Sequence, residues 1–342
     1  MQAQGAFRLK RGRNDGSKQA SAAMPYLVGT DEAGYAPNLG PLVITATVWH
    51  VDGDGRADLY RRLRSAVTRQ PPSPRSRRIA IADSKLLYRS GAGLAALERS
   101  VLAALELTGC SPTCWQEIWR LVDADWSLHL ERLPWHLQYD CALPLEIDLK
   151  QLVRLRGCLA DALAKAGVRL VAIRSTAVFP ERFNDSTLEL GSKGEALSKI
   201  TLHLLAQALA ECSGEPVIVV CDKHGGRNTY ARLLEERFPD VDIQVCLESG
   251  AESIYCWGEA EERVEVCFRM GGESFLPAAL ASMTSKYLRE LAMRAFNDFW
   301  CCRVPDLQPT AGYPGDSRRF KSAIADAQVE LGIDDHILWR VR

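Results

Sequence analysis

Val28-Gly29-Thr30-Asp31-Glu32-Ala33-Gly34 decides the fold: an apolar run ends in two adjacent carboxylates and meets a glycine. Charged side chains are seldom buried unless paired or bound to metal, so two of them closing an apolar strand suggest a site. Successive strand residues face opposite sides of a sheet. Asp31 and Glu32 therefore share one site only where the strand ends or bends, which Gly34 permits. Taken alone the stretch also fits an ordinary strand end, where an acid serves a turn or a helix cap.

Working outward, a turn rich in Gly, Pro and Asn leads to a second strand, Leu42 to Val51. Ile79 to Ala82 is a short apolar run before Asp83-Ser84-Lys85, and 91–107 reads as a helix with Leu94, Leu97, Val101 and Leu105 on one face. Residues 149–166 read as a helix and 168–174 as a strand. A long helix over 192–210 delivers the chain to Pro216–Cys221, a buried central strand ending in Asp222. His224 follows two residues later, on what reads as an exposed loop, within reach of assisting proton transfer. A strand at 264–268 precedes Gly271-Gly272-Glu273-Ser274, which opens an alanine-rich helix over about 277–299 carrying Ser282 and Lys286. Glu273 there also suits the positive end of a helix. Strands alternating with helices predict one α/β domain over 25–330, a mixed central β-sheet flanked by helices with a C-terminal helical part. Residues 1–24 read as a disordered basic tail and 331–342 as a C-terminal tail.

Composition narrows the class. The chain has 342 residues, 47% hydrophobic and 25% charged, with no apolar run near the roughly 18 residues of a membrane span and no signal-peptide core at its start. The expectation is a cytoplasmic protein with no membrane association, its eleven cysteines reduced and mostly buried. Cys110, Cys114, His129 and His136 approach a metal pattern, but their spacings fall outside those of zinc fingers. The net charge of −1 is uneven: residues 1–24 sum to +4, residues 56–78 carry eight arginines against Asp58 for +7, and the remainder sums to −12. Two basic segments on an acidic body suit docking of a phosphate backbone beside an acidic metal site, or else a solvated loop and tail. Four of the eight tryptophans fall at 115, 119, 126 and 135, where a buried helix and a partner or nucleic-acid surface both remain open.

Two central strands that end in carboxylates are what Mg²⁺ needs, because it demands oxygen ligands. No G-x-x-x-x-G-K-[ST] loop accompanies the Asp-Glu-Ala, which removes a helicase-type ATPase. Read in order, Gly29-Thr-Asp31-Glu32-Ala-Gly34, Gly40-Pro-Leu-Val43, Asp83-Ser84-Lys85-Leu-Leu87, Asp222, Gly272-Glu273-Ser274, Ala281-Ser282 through Lys286, and Gly312-Tyr313-Pro314 resemble the ribonuclease HII family, the type 2 ribonucleases H. The resemblance covers most of residues 25–325, with extra sequence, rich in tryptophan, around 108–165. It implies a ribonuclease-H-like fold and a two-metal endonuclease using Mg²⁺ or Mn²⁺ on RNA–DNA hybrids or on ribonucleotides embedded in duplex DNA. The family's catalytic, metal-binding carboxylates carry over to Asp31, Glu32, Asp222 and Glu273. Its substrate contacts carry over to Gly34, Tyr35, Ala36, Asp83, Ser84, Lys85, Ser282, Lys286 and Tyr313, the last resembling a tyrosine that stacks on a sugar.

The chain departs from the family at three places. Glu273 stands where the family has Asp. Gly34-Tyr35-Ala36 stands for the Gly-Arg-Gly that grips the ribonucleotide junction, and Ala311 for the basic residue before Gly-Tyr-Pro. These changes imply a relaxed junction preference and keep open a second reading, a protein of the same fold that binds nucleic acid with weak cleavage or none.

Overall fold

β1 (Tyr26–Ala33) and β2 (Leu42–Val51) pair antiparallel, with Asp31 opposite Thr45 and Glu32 opposite Ile44. The computed structural model describes residues 25–340 except 54, 55, 57, 74, 89–92, 127–131 and 213, so the N-terminal tail and His129 lie outside the described residues. A short parallel pair, β3 (Val67–Thr68) and β4 (Ile79–Ala80), stands apart from the main sheet. The sheet is completed by β5 (Val168–Val178), β6 (Val217–Asp222), β7 (Gln244–Glu248), β8 (Glu252–Trp257) and β9 (Val264–Arg269). Its seven strands run in the order β5-β2-β1-β6-β9-β8-β7. The central pairs β1/β6 and β6/β9 are parallel and the outer pairs antiparallel, so the sheet is mixed as expected.

Strand alternation sorts the core onto two faces. Leu27, Val43, Ile218 and Val220 pack with the helices α3 (Ala95–Leu107), α5 (Leu149–Ala166) and α9 (Leu276–Cys301). Tyr26, Val28, Ile44, Val217 and Val219 pack on the other face with α7 (Lys193–Leu209) and α8 (Ala231–Arg237). The long helix α9 lies directly on β1 and β2, and Thr47 Oγ1 donates to the Pro277 carbonyl at 2.8 Å. Shorter helices fill the connections: α1 (Leu59–Arg62), α2 (Ser84–Leu87), α4 (Trp115–Val122) and α6 (Pro180–Leu190). The C-terminal helical part follows α9 as α10 (Pro314–Ala323), α11 (Ala325–Glu330) and α12 (Asp335–Leu338).

The tryptophans of the extra sequence belong to the core. Trp115, Trp119, Trp126 and Trp135 are all buried, and Trp115 Nε1 donates to the Leu291 carbonyl of α9 at 3.0 Å. Trp115, Trp126, Trp135 and Phe179 pack around His136, whose pKa burial pushes down to about 3. Buried Glu98 accepts from the backbone N–H groups of Leu145, Glu146 and Ile147 and from the Tyr287 hydroxyl, tying the segment to α3 and α9. A partner surface built on these tryptophans is therefore corrected to packing.

The described part of the C-terminal tail packs against the body. Leu338 and Arg340 are buried, Arg340 N donates to the Asn38 carbonyl at 2.9 Å, and Leu39 bridges Trp339. The cysteines are free thiols, but only four are buried, so "mostly buried" does not hold. No helix among the described residues is long and apolar enough to cross a membrane.

Candidate active site

In the β1/β6 register Thr30 faces Cys221, so the next residues along, Asp31 and Asp222, close neighbouring parallel strands at the same end of the sheet. Parity also matches: Asp31 follows Leu27 and Asp222 follows Ile218 and Val220 on the side facing α9. β1 continues to Ala33 beyond its last pairing with β6, so one edge of Asp31–Ala33 is free of a strand and Glu32 can turn toward the same end. Gly34 follows at φ +92°, with Pro41 and Arg289 standing where a β-carbon would project, so glycine alone fits the turn.

The Asp31 backbone is fixed from α9. Ser285 Oγ donates to the Asp31 carbonyl at 3.0 Å and lies 2.8 Å from Thr45 Oγ1. The Asp31 carboxylate accepts from Glu32 N at 2.8 Å, and the Ser282 hydroxyl, which lies 3.1 Å from Ser84 Oγ, favours its charged form. Glu273 sits in the turn Gly272–Ser274 between β9 and α9, not inside the helix. The backbone amides of Gly272 and Gly271 in this turn, with that of Lys223, favour the charged form of Asp222.

Electrostatics join the four acids. Burial, then Glu32 and Asp222, hold Asp31 well above the usual carboxylate range. Burial, then Asp222 and Glu273, push Glu32 up to about 7. Burial also raises Asp222, and burial with Asp83 and Asp222 raises Glu273. Lys85 stands among them. Burial opposes its charge, but Asp83, Glu273, Asp31 and Asp222 outweigh that and raise its proton affinity. Asp83 caps α2, its side chain accepting from Lys85 N at 2.9 Å.

A cleft of about 400 Å³ opens beside these acids, lined by Glu32, Gly34, Tyr35, Ala36, Ser84, Lys85, Tyr88, Lys286, Glu290, Ala311 and Tyr313 among others. It unites most of the substrate residues expected from sequence, with Asp83 and Ser282 adjoining through Lys85 and Ser84. Lys286 is not free: its Nζ pairs with Glu290 at 2.5 Å and lies over the Tyr88 ring, whose hydroxyl donates to Glu290 at 2.8 Å. Tyr88, Glu290 and Arg289 are the lining and supporting residues that sequence reading missed. The only signal was the i,i+4 spacing of Lys286 and Glu290 on a helix. His224 is buried, its Nδ1 3.1 Å from Ser198 Oγ and its ring against Tyr230 and Phe268. Burial pushes it down to about 3, so the exposed loop histidine and the proton-transfer role are both corrected.

The donor chemistry fits a hard divalent cation: all four groups offer oxygen, and a cation would favour the charged forms that burial opposes in all four and that neighbouring acids oppose in Asp31, Glu32 and Glu273. Their arrangement is open, since among the described residues no three His, Cys, Asp or Glu side chains form a group ready to hold a metal.

No family model and no curated protein matches the chain. By structure it is similar to ribonucleases HII and HIII. Ribonuclease HII of Archaeoglobus fulgidus, solved in complex with PCNA, aligns over 92% of this chain and 94% of its own at 15% identity and a TM-score of 0.39. Ribonuclease H2 of Pyrococcus horikoshii aligns over 92% of each chain at 14% identity and a TM-score of 0.37. Bst-RNase HIII with Mn²⁺ aligns over 96% of this chain and 72% of its own at 14% identity and a TM-score of 0.38. Superpositions this loose carry no argument about activity.

Proposed function

We propose that the protein is a metal-dependent endonuclease of ribonuclease H type, hydrolysing the RNA strand of RNA–DNA hybrids or ribonucleotides embedded in duplex DNA. The observation that carries this reading is the adjacency of Asp31 and Asp222 at neighbouring parallel strand ends, with Glu32 and Glu273 raised first by burial and then by the acids around them. Asp31, Glu32, Asp222 and Glu273 would hold Mg²⁺ or Mn²⁺. When bound, two such cations supply an activated water and stabilise the leaving 3′-oxygen.

The chain's own residues do the rest. Lys85 places a fixed positive charge among the acids, where a scissile phosphate needs one. Ser282 orients Asp31, and Ser285 holds its backbone. Tyr35 and Tyr313 offer ring faces along the cleft for a sugar or base.

Cleavage of end-labelled duplexes carrying one, four or many ribonucleotides, with and without Mg²⁺ or Mn²⁺, tests the reading. Metal-dependent products at ribonucleotides support it. The open spacing of the acids favours a second reading, a nucleic-acid-binding protein that cuts poorly. Tight duplex binding without product under every metal would select that one.

A further inference from the structure

Residues 59–82 contain seven arginines and no Asp or Glu. Its described residues are packed onto the body. Leu63, Ala66, Val67 and Ile79–Ala82 are buried, Ile79 N donates to Ala66 O at 2.8 Å, and Ile81 N donates to Thr68 O at 2.9 Å. Arg69 and Tyr60 tether it beside the acids: the guanidinium lies 4.0 Å from the Tyr60 ring centre and donates to the Ser274 carbonyl at 3.2 Å. The Tyr60 hydroxyl reaches the Glu273 carbonyl at 3.5 Å. Arg62 donates to the Asp52 carbonyl. Arg61, Arg64, Arg75, Arg77 and Arg78 are exposed and make no ion pair among the described residues.

Five unneutralised guanidiniums on one small platform repel each other, while the body around them is acidic. That cost is relieved by a polyanion. The strut Ile79–Ala82 separates Arg78 from Asp83, five residues apart and so at most about 17 Å. At about 3.4 Å per base step, this is the span of roughly five steps along one strand.

We propose that residues 61–78 form a rail for a nucleic-acid phosphate backbone. Arg61, Arg64, Arg75, Arg77 and Arg78 grip the duplex arm on the Glu273 side of the acids, with Arg78 within about five base steps of Asp83, and Arg69 is a structural tether. The location rests on the proposed function, but the rail is read by binding alone.

The test measures binding of a 20-base-pair RNA–DNA hybrid by fluorescence anisotropy in EDTA across several salt concentrations. It compares the parent, R75A/R77A/R78A and R61A/R64A, with circular dichroism confirming the fold of each. Each phosphate that a variant no longer neutralises lowers the slope of log K against log salt by about 0.9. The triple variant is expected to lower it by roughly 2–3 and the double variant by roughly 1–2, with at least tenfold weaker binding for the triple variant at low salt. Equal slopes in parent and variants overturn the rail, as does a parent that does not bind the hybrid. Equal binding to poly-glutamate also overturns it, assigning the patch to an acidic protein. Absence of cleavage by the parent under Mg²⁺ or Mn²⁺, with these slope changes observed, removes the catalytic reading and leaves the rail. Cleavage with unchanged slopes does the reverse.

Discussion

Gly29 on β1 faces α9 so closely that a β-carbon there would lie 2.1 Å from the Ala278 backbone nitrogen. Helix and strand meet backbone to backbone, and this approach lets Ser282 and Ser285, farther along α9, reach Asp31. Gly29→Ala must drive the two elements apart by about an ångström, against an overpacking cost of roughly 1–3 kcal/mol or more. The expected result is a lower urea midpoint and a larger loss of metal-dependent cleavage than the stability change explains. Parent-like activity and midpoint would show that the approach is not required.

Asp31→Asn keeps the oxygen that accepts from Glu32 N and removes a charge that burial and two acidic neighbours oppose. Stability without metal should be unchanged or higher by roughly 1 kcal/mol, because crowded like charges disfavour ionisation. Cleavage should fall by more than the roughly 10–100-fold that losing a metal ligand's outer partner costs. Unchanged turnover would remove Asp31 from the chemistry.

Glu32 gives a pH signature. Its folded-state value near 7 exceeds the ordinary 4.5, so the folded protein binds the proton more tightly than the unfolded chain. For a carboxyl raised in this way, the contribution is neutral below about 4.5 and grows unfavourable as pH climbs to about 7, by at most about 3 kcal/mol. Buried His136 and His224 act in the opposite sense, losing stability as pH falls below about 6.5. The difference between parent and Glu32→Gln isolates the glutamate: in EDTA the variant should gain Tm at pH 8 and little at pH 4.5. Millimolar Mg²⁺ or Mn²⁺ should raise the parent's Tm at pH 8 and shrink that gap. A gap independent of pH would assign the change to packing.

Trp115 tests the correction made to the tryptophan-rich segment. Its indole is fully buried, packs edge-on to Trp119 and Trp126, and donates to α9. Trp115→Leu should cost about 3 kcal/mol, within the range of large-to-small core changes. Duplex binding per folded molecule should be unchanged. Weaker binding without lost stability would return the segment to a recognition surface.

The strands that build the centre were legible because burial on both faces leaves β-branched runs, as in Val217–Cys221, and their terminal acids stand out against such runs. The hairpin β7–β8 was not, since every residue of β7 is exposed at the sheet edge, so the alternation of Val245 and Leu247 reports no buried face. His224 misled because its loop is polar in sequence, and only the fold brings Phe268 and Tyr230 over it. Arg289 was invisible for a related reason. A guanidinium on a helix reads as surface, yet this one lies buried behind Gly34, donating to the Leu39 and Ala311 carbonyls. Tertiary context decided each of these against local pattern.

Tyr35 should set how strictly the cleft reads a ribonucleotide junction. Its ring is half-buried and crosses from the turn after β1 toward the loop after Asp222, where a β-carbon on Gly225 would lie 3.5 Å from its hydroxyl. Burial and the Glu32 charge keep the phenol protonated, so it offers one donor and a ring face. It cannot supply the bidentate grip of a guanidinium on phosphate. Tyr313, exposed at 47% and capping α10, provides the second ring. Tyr313→Ala should lose stacking worth about 1–3 kcal/mol, mainly for duplexes carrying the RNA–DNA junction. Tyr35→Arg should sharpen the preference for a single embedded ribonucleotide over a uniform hybrid, because an arginine there can grip the junction phosphate. The ratio of kcat/KM on the two substrates, compared between parent and variant, decides it. A parent that already prefers the junction strongly, or a variant with an unchanged ratio, would show that Tyr35 does not govern recognition.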